Sequence, residues 1–503
     1  MYTFATPLDR AVRTNPNGRA VVCEGQELTY AELATRCRKL GGALKAMGLE
    51  KGDRIGVVGP NSAAYFELYF TVPACGYVLV PVNSRLAGPE IRDVLADAGV
   101  KILFRDGDFP VPDSVEKVIA IPDEYNALVD SGDEVTLGEG VEEDDLAVLF
   151  YTSGTTGMAK GAMHTHKGLL MSGLHFMAAW PFNPDTRWMI ASPMFHTGGI
   201  LAVMSTVWGA GTHVILPAFD PEKALDQIQT QGVTHTLLVP TMLAAAARAQ
   251  MANPRDVSSL RYLSHGASPV SVETLRLAHD QFPDAELVHL YGTTETTPIT
   301  AVLMHEERLF GTPQIKSCGQ PAIGMELRIL DPSTGEEAPA NEIGELYVRG
   351  ASVMEGYWGK QDDSASAIID GWYKTGDLGF LDEGSHLFLV DRAKDMIVTG
   401  GENVYSVEVE NALAAHPSVH EVAVFGIPDP RWGEAVHAVV VTDVPVTSEE
   451  LIAHCKARIA GVKVPKTLEV SSNPLPKSAA GKILKRDLRD PFWASAGSQV
   501  SGS

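Results

Sequence analysis

Apolar residues recur at three- and four-residue steps through Leu33, Cys37, Leu40, Leu44 and Met47, which is the spacing of one helix face. Leu28-Thr29-Tyr30-Ala31-Glu32 opens that helix with a Thr-x-x-Glu capping box, and Gly48 ends it. Short apolar runs and helical stretches then alternate. The pattern predicts a strand at 54–58, a helix from Ser62, a strand at 77–80, a helix from Pro89 and a strand at 100–104. Such alternation implies a layered α/β unit with a mostly parallel sheet. Residues 106–143 are acidic and irregular and read as a surface excursion. The run 146–150 reads as a buried parallel strand. Further strands are expected near 188–191, 213–216, 234–239, 261–264 and 286–290, joined by helices and loops. From 319 to 349 the pattern changes to short strands with Gly and Pro turns, the mark of a small antiparallel subdomain.

A short strand at 387–390 leads into a charged link, Asp391-Arg392-Ala393-Lys394-Asp395. Beyond it a compact α+β pattern is expected: a helix from Val407, strands at 419–425 and 436–441, and a helix from Ser448. The domain boundary is placed at this link, giving domains 1–391 and 392–503. Residues 492–503 end in Ser, Gly and Ala and read as a flexible tail. The expected class is therefore α/β: a large N-terminal domain of layered α/β sheets with a small antiparallel subdomain, then a small α+β C-terminal domain.

At 503 residues the chain exceeds what one core usually spans, in keeping with two or more cores. A net charge of -23 argues against non-specific binding to nucleic acid or to anionic membranes. Cys23, Cys37, Cys75, Cys318 and Cys455 lie far apart, without CxxC or metal-ligand spacing, and read as reduced thiols of a cytoplasmic protein. The first ten residues carry Asp9 and lack the apolar centre of a signal peptide. The most apolar window, 65–82, contains Glu67 and Pro73 and reads as a core helix followed by a strand, not a transmembrane segment.

The chemistry concentrates in Tyr151 to Lys160, YTSGTTGMAK. Behind the strand come Thr152, Ser153, Gly154, Thr155, Thr156 and Gly157, with Lys160 close after. Small and hydroxylated residues let backbone N–H groups, hydroxyls and one cation approach a polyphosphate. No Gly-Lys-Ser/Thr follows at the spacing of the common ATPase loop, so this is a different phosphate loop.

With this loop, the link and the C-terminal GKILK in view, the chain resembles an acyl-CoA synthetase of the acyl-adenylate-forming superfamily. That group includes acyl- and aryl-CoA ligases, luciferase and peptide-synthetase adenylation domains. The resemblance runs from LTYAEL at Leu28 to GKILKRDL ending at Leu488. Family members usually have Pro where this chain has Ala159, a loss that should loosen the turn without removing a ligand group. In PMFHTGG, His196 matches a residue lining the acyl pocket. HGASP, with Gly266, Ala267 and Ser268, resembles the loop that packs on adenine. In YGTTE the resemblance implies that Tyr291 stacks on adenine, Gly292 and Thr293 line the nucleotide, Thr294 touches the α-phosphate and Glu295 binds Mg²⁺. A hard cation held by one carboxylate and substrate phosphates fits that role. Asp377 in YKTGD resembles the ribose-binding carboxylate, and Arg392 a ribose and phosphate contact. Lys394 falls at the hinge position, Gly400 and Gly401 at the CoA (pantetheine) channel, and Lys482 at the mobile catalytic lysine. His196, Ile200, His265, Leu290 and Thr293 are carried over as acyl-pocket positions.

The resemblance implies two steps. A substrate carboxylate attacks the α-phosphate of ATP, giving acyl-AMP and pyrophosphate; the CoA thiol then displaces AMP. Two anions meet in the first step, so positioning and charge neutralisation dominate, and Lys482 would serve as a long-reaching point charge. Rotation of a mobile C-terminal domain about the link would swing Lys482 out and the Gly400 stretch in. Leu290 stands where aryl-CoA ligases commonly have Gly, and no basic residue is evident among the pocket positions. A monocarboxylic fatty, branched or aromatic acid is expected, a fatty acid first. The rivals are an aryl-CoA ligase, an enzyme loading a carrier protein, and a nucleotide-binding sensor that has lost its chemistry. Retention of Glu295, Asp377, Arg392 and Lys482 together argues against the last. A homodimer is compatible with the chain, whose oligomeric state no motif reveals.

Overall fold

The computed structural model describes residues 2–152, 159–477 and 483–496, the side chains of Ser495 and Ala496 excepted. Its architecture is mixed α/β, with a large N-terminal domain, an antiparallel sheet and a smaller C-terminal domain. By internal contacts the chain divides into a larger unit, Met1–Leu327 with Val348–Tyr373, and a smaller one, Arg328–Tyr347 with Lys374–Ser503.

The larger unit holds two sheets. One has six strands in the order Lys117–Ala120, Val100–Arg105, Arg54–Val58, Val78–Val82, Leu146–Thr152, Lys160–Thr165. The other has nine, in the order Gln320–Pro321, Ala301–Leu303, Glu286–Tyr291, Tyr262–Gly266, His235–Leu237, Arg187–Ile190, Thr212–Ile215, Arg19–Cys23, Gln26–Thr29. Both are parallel in their interiors and antiparallel at an edge. Buried Met189, Leu263 and Leu287 of the nine-stranded sheet pack on Leu225, Leu243 and Leu275 of three covering helices. The helix Tyr30–Ala46 begins at Thr29 with the expected capping box closed by Glu32.

The strand Leu146–Thr152 is parallel to Val78–Val82, as expected, and on its other side Lys160–Thr165 pairs antiparallel. Three expectations need correction. Residues 106–143 are not wholly irregular, because Lys117–Ala120 adds to the sheet and Asp123–Ser131 is a helix anchored by Tyr125 and Val129. Two apolar anchors in nine residues were too sparse a signal against an acidic background. Of the short strands in 319–349, Gln320–Pro321 joins the nine-stranded sheet, while Met325–Leu330 and Gly344–Gly350 belong with Ile368–Ile369, Trp372–Leu381 and Leu387–Arg392 in a separate five-stranded sheet. The tail begins later than expected: Lys485–Ala496 is a helix, and buried Trp493 donates its indole N–H to Gly426 O at 3.1 Å. Residues 497–503 lie outside the described residues.

In the smaller unit a sheet runs Glu402–Val404, Ile397–Thr399, Gly433–Thr442, Val419–Asp429, with Thr467–Ser471 also paired to Gly433–Thr442. The helices Ser406–Ala414 and Ser448–Lys456 cover it through Val409, Leu413, Leu451 and Cys455. No helix among the described residues is long and apolar enough to cross a membrane.

Candidate active site

The site of the larger unit is built where strands end. Thr152 closes one strand, with its hydroxyl 3.4 Å from Lys160 O on the returning strand. Ser153, Gly154, Thr155, Thr156 and Gly157 lie outside the described residues, as do Gly481 and Lys482. Tyr151 is tied down by a 2.7 Å hydrogen bond from its hydroxyl to Asp97. Lys160 pairs with Asp363 at 2.9 Å, and its Nζ lies 5.3 Å from the centroid of the Tyr357 ring.

Tyr291 ends the strand Glu286–Tyr291, and Thr294–Thr296 follow as one 3₁₀ turn. Thr293 N donates to Thr296 Oγ1 at 3.0 Å and caps that turn. The Thr293 hydroxyl is buried without a hydrogen-bond partner among the described residues. Glu295 accepts the Tyr357 hydroxyl on Oε1 at 3.0 Å, and its carbonyl accepts from Met354 N at 2.7 Å. Two glycines here are obligatory. A Cβ on Gly292 would stand 1.8 Å from Pro298 O, and one on Gly266 would stand 2.1 Å from Leu290 O. Ala267 holds φ +67°, a left-handed backbone that costs an alanine on the order of 1 kcal/mol. Ser268 follows, half-buried.

Asn61 fixes the PMFHTGG loop: its amide donates to Ser192 O and Leu216 O, and its Oδ1 accepts from Met194 N at 2.7 Å. His196 caps the short helix Thr197–Ile200 and packs on Phe195. Burial, with Arg85 adding to it, lowers the His196 pKa to about 4, so the ring is neutral near pH 7. Its Nε2 is buried without a partner among the described residues. Ile200 lines a small cavity with Tyr69, Leu169, Met204, Thr297 and Pro298. Leu290 is buried. His265 is fully buried, pairs through Nε2 with Glu306 and stacks on His289 at 4.9 Å.

In the smaller unit, antiparallel register sets Asp377 opposite Arg392, and their side chains pair at 2.7 Å. Asp377 N donates to Thr375 Oγ1 at 3.0 Å, and Thr375 Oγ1 donates to Leu346 O at 2.8 Å. Asp391 accepts from Ser406 N and, at 3.1 Å, from the Ser406 hydroxyl. Lys485 donates to that hydroxyl at 2.6 Å and pairs with Glu410 at 2.7 Å. Burial pushes the carboxyls of Asp391 and Glu410 up. Lys477 is likewise occupied, by Glu421. Lys394 is exposed, and its carbonyl accepts from Arg489 at 3.4 Å. Gly400 and Gly401 both have positive φ, and a Cβ on Gly400 would stand 2.7 Å from the Trp432 ring.

The model of AMP-binding enzymes matches residues 8–358, and that of their C-terminal domain matches residues 408–482. The chain belongs to the AMP-binding enzyme family. It is an enzyme of the AMP-forming acyl-CoA synthetase kind within that family. It is 38% identical over 495 residues to the feruloyl-CoA synthase of Amycolatopsis sp, covering 96% of this chain and 98% of that protein. It is 35% identical to the fatty acid–[acyl-carrier-protein] ligase ScoC of Streptomyces coeruleorubidus, covering 97% and 96%. The solved O-succinylbenzoate coenzyme A synthetase (MenE) of Bacillus subtilis, in complex with ATP and a magnesium ion, superposes with a TM-score of 0.86 at 30% identity, covering 97% and 98%.

Within this AMP-binding enzyme, two residues to which no motif assigned a role stand out by their contacts. Tyr357 sits 62 residues from Glu295 in sequence. Lys485 reads as a surface lysine, yet it is mostly buried against Glu410. Only their partners in space distinguish them.

Proposed function

We propose that the protein joins an apolar-bodied monocarboxylic acid to CoA, consuming ATP and releasing pyrophosphate and then AMP. The observation that supports this most is the cluster Lys160, Tyr357, Glu295 and Thr293. It holds one cation and one carboxylate on a single tyrosine, with an unpartnered buried hydroxyl two residues before that carboxylate in the chain. Glu295 has Oε1 bonded, and Oε2 has no partner among the described residues, which suits a carboxylate that shares a divalent cation with substrate phosphates. Bound there, Mg²⁺ would supply charge neutralisation for the triphosphate. Lys160 meets phosphate oxygens, Thr294 meets the α-phosphate, and Asp377 accepts ribose hydroxyls while Arg392 holds it in place. Lys482 approaches as the mobile cation of the adenylation step.

Transfer of the acyl group from acyl-AMP to a thiol, with AMP leaving, calls for a second arrangement. In our reading residues 392–503 turn about the link 391–395, with Lys394 at the pivot and Gly400 and Gly401 admitting the thiol arm. Five cysteines, none in a disulfide among the described residues, fit a reducing, cytoplasmic setting for this chemistry.

The acid is either aryl or fatty. Similarity to a feruloyl-CoA synthase favours an aryl acid, whereas Leu290, buried where a smaller residue would lengthen the pocket, favours a short or bent chain. No Lys or Arg lines the cavity at Ile200, which disfavours a second carboxylate. A second acceptor, a phosphopantetheinylated carrier protein, is motivated by the similarity to ScoC. The deciding experiment is AMP formation across a panel of aryl, fatty and dicarboxylic acids, with CoA or a loaded carrier protein as acceptor. AMP release that requires both a monocarboxylic acid and CoA is expected. ATP binding without acid-dependent turnover of any panel member would contradict the reading.

A further inference from the structure

We propose that Tyr357 is a positioning residue for adenylation: its hydroxyl orients the Glu295 carboxylate toward a divalent cation, and its ring holds Lys160 ready for the nucleotide's phosphates. This deepens the reading given above and rests on it. The hydroxyl reaches Glu295 Oε1 at 3.0 Å, and the ring face meets Lys160 Nζ at 5.3 Å, so one side chain touches both ionic groups. A phenol that donates to a carboxylate shifts electron density into its ring, and a richer ring attracts an ammonium more strongly. Each contact therefore reinforces the other.

Tyr357 is itself held from several sides. Its backbone faces Ala162 in an antiparallel bridge, and its N–H donates to Ser364 Oγ at 2.8 Å. The ring packs against the buried cluster of Ala162, Met354 and Tyr373. Met354, in the same segment, donates its N–H to Glu295 O at 2.7 Å, so this segment fixes Glu295 by backbone as well as by side chain. Lys160's other partner differs. Asp363 is 43% exposed, a pair that water and salt weaken. A triphosphate can displace such an anion while the ring stays behind the lysine.

The test uses Tyr357→Phe, which keeps the ring and removes the hydroxyl, and Tyr357→Leu, which removes both, with Glu295→Gln as reference. ATP is titrated calorimetrically with and without Mg²⁺, and acid-dependent pyrophosphate release is followed against Mg²⁺ concentration. Tyr357→Phe is expected to raise the half-saturating Mg²⁺ about tenfold, the size seen when a group supporting a metal ligand is lost. Its ATP affinity without Mg²⁺ should fall far less, because the ring beside Lys160 remains. Tyr357→Leu should weaken ATP binding in both conditions. The proposal is overturned if Tyr357→Phe keeps the original Mg²⁺ requirement, or loses ATP affinity equally with and without Mg²⁺. Absence of acid-dependent pyrophosphate release in the unaltered protein would instead remove the functional reading, and the calorimetric arm would still judge Tyr357.

Discussion

In the larger unit Lys160 meets Asp363 at 2.9 Å with 21% and 43% of the two side chains exposed; in the smaller unit Lys485 meets Glu410 at 2.7 Å with 15% and 18% exposed. The first pair stands beside an aromatic ring and has little else to hold it. The second belongs to a chain of contacts through Ser406 to Asp391, and Glu410 also accepts from Val424 N at 2.8 Å. An exposed pair gains little and exchanges its partner readily, whereas a buried pair is costly to break because the remaining charge is stranded. In the proposed reading Lys160 is kept available for an incoming anion, whereas Lys485 is part of the framework.

The histidines sharpen this contrast and give the largest predicted effect. In the larger unit burial lowers His164 to about 3 and His166, His196, His213, His235 and His289 to about 4, from an ordinary 6.5. In the smaller unit His437 is the one pushed to about 4 among the described residues. A ring with a lowered pKa takes up protons more readily when unfolded. Stability from these rings is therefore complete above about 6.5 and is lost as pH falls toward 4. The raised carboxyls of Asp391 and Glu410 work the other way in the smaller unit, whose folded form gains relative stability as they protonate. Hydrogen exchange resolved by peptide should show residues of the larger unit losing protection first between pH 6.5 and 4. Earlier loss in the smaller unit would break the contrast.

Next in size is Lys485→Met, which strands Glu410 and should destabilise the smaller unit by about 3 kcal/mol, read from its urea midpoint. Lys394→Pro, a change at the proposed pivot, is expected to slow thioester formation from supplied acyl-AMP about tenfold while sparing adenylation, since a fixed φ resists the turn. Loss of adenylation with thioester formation intact would count against the rotation. The smallest effect is expected at Lys160→Met, within about 1 kcal/mol in folding stability because its pair is exposed, although ATP affinity should drop.

Much of this was legible in the chain because local rules agreed. The capping box at Thr29 and Glu32 starts its helix where read, and the run Arg54–Val58 is a strand over those residues. Motifs named Tyr291 at the end of its strand, the turn through Glu295 that follows it, and Asp377 within the strand Trp372–Leu381, because each lies in a run of specific residue types that is local in the chain. Pairing between distant segments was not legible. Lys160–Thr165 mixes Gly, His and Thr and shows no clear apolar alternation, yet it pairs antiparallel with Leu146–Thr152. The helix Lys485–Ala496 carries Pro491 and a polar composition, and its burial of Trp493 is seen only in three dimensions. Tyr357 and Lys485 belong to this second class, since their meaning lies in what they touch.

The central claim is that a cation from the C-terminal domain completes the charge environment of the adenylation step alone. It is tested most directly by Lys482→Ala, with both half-reactions measured on one preparation. Acid-dependent pyrophosphate release should fall by about 10²- to 10³-fold, the scale of losing one transition-state charge contact, with thioester formation from supplied acyl-AMP largely retained. Equal loss in both half-reactions, or unchanged pyrophosphate release, would contradict the account.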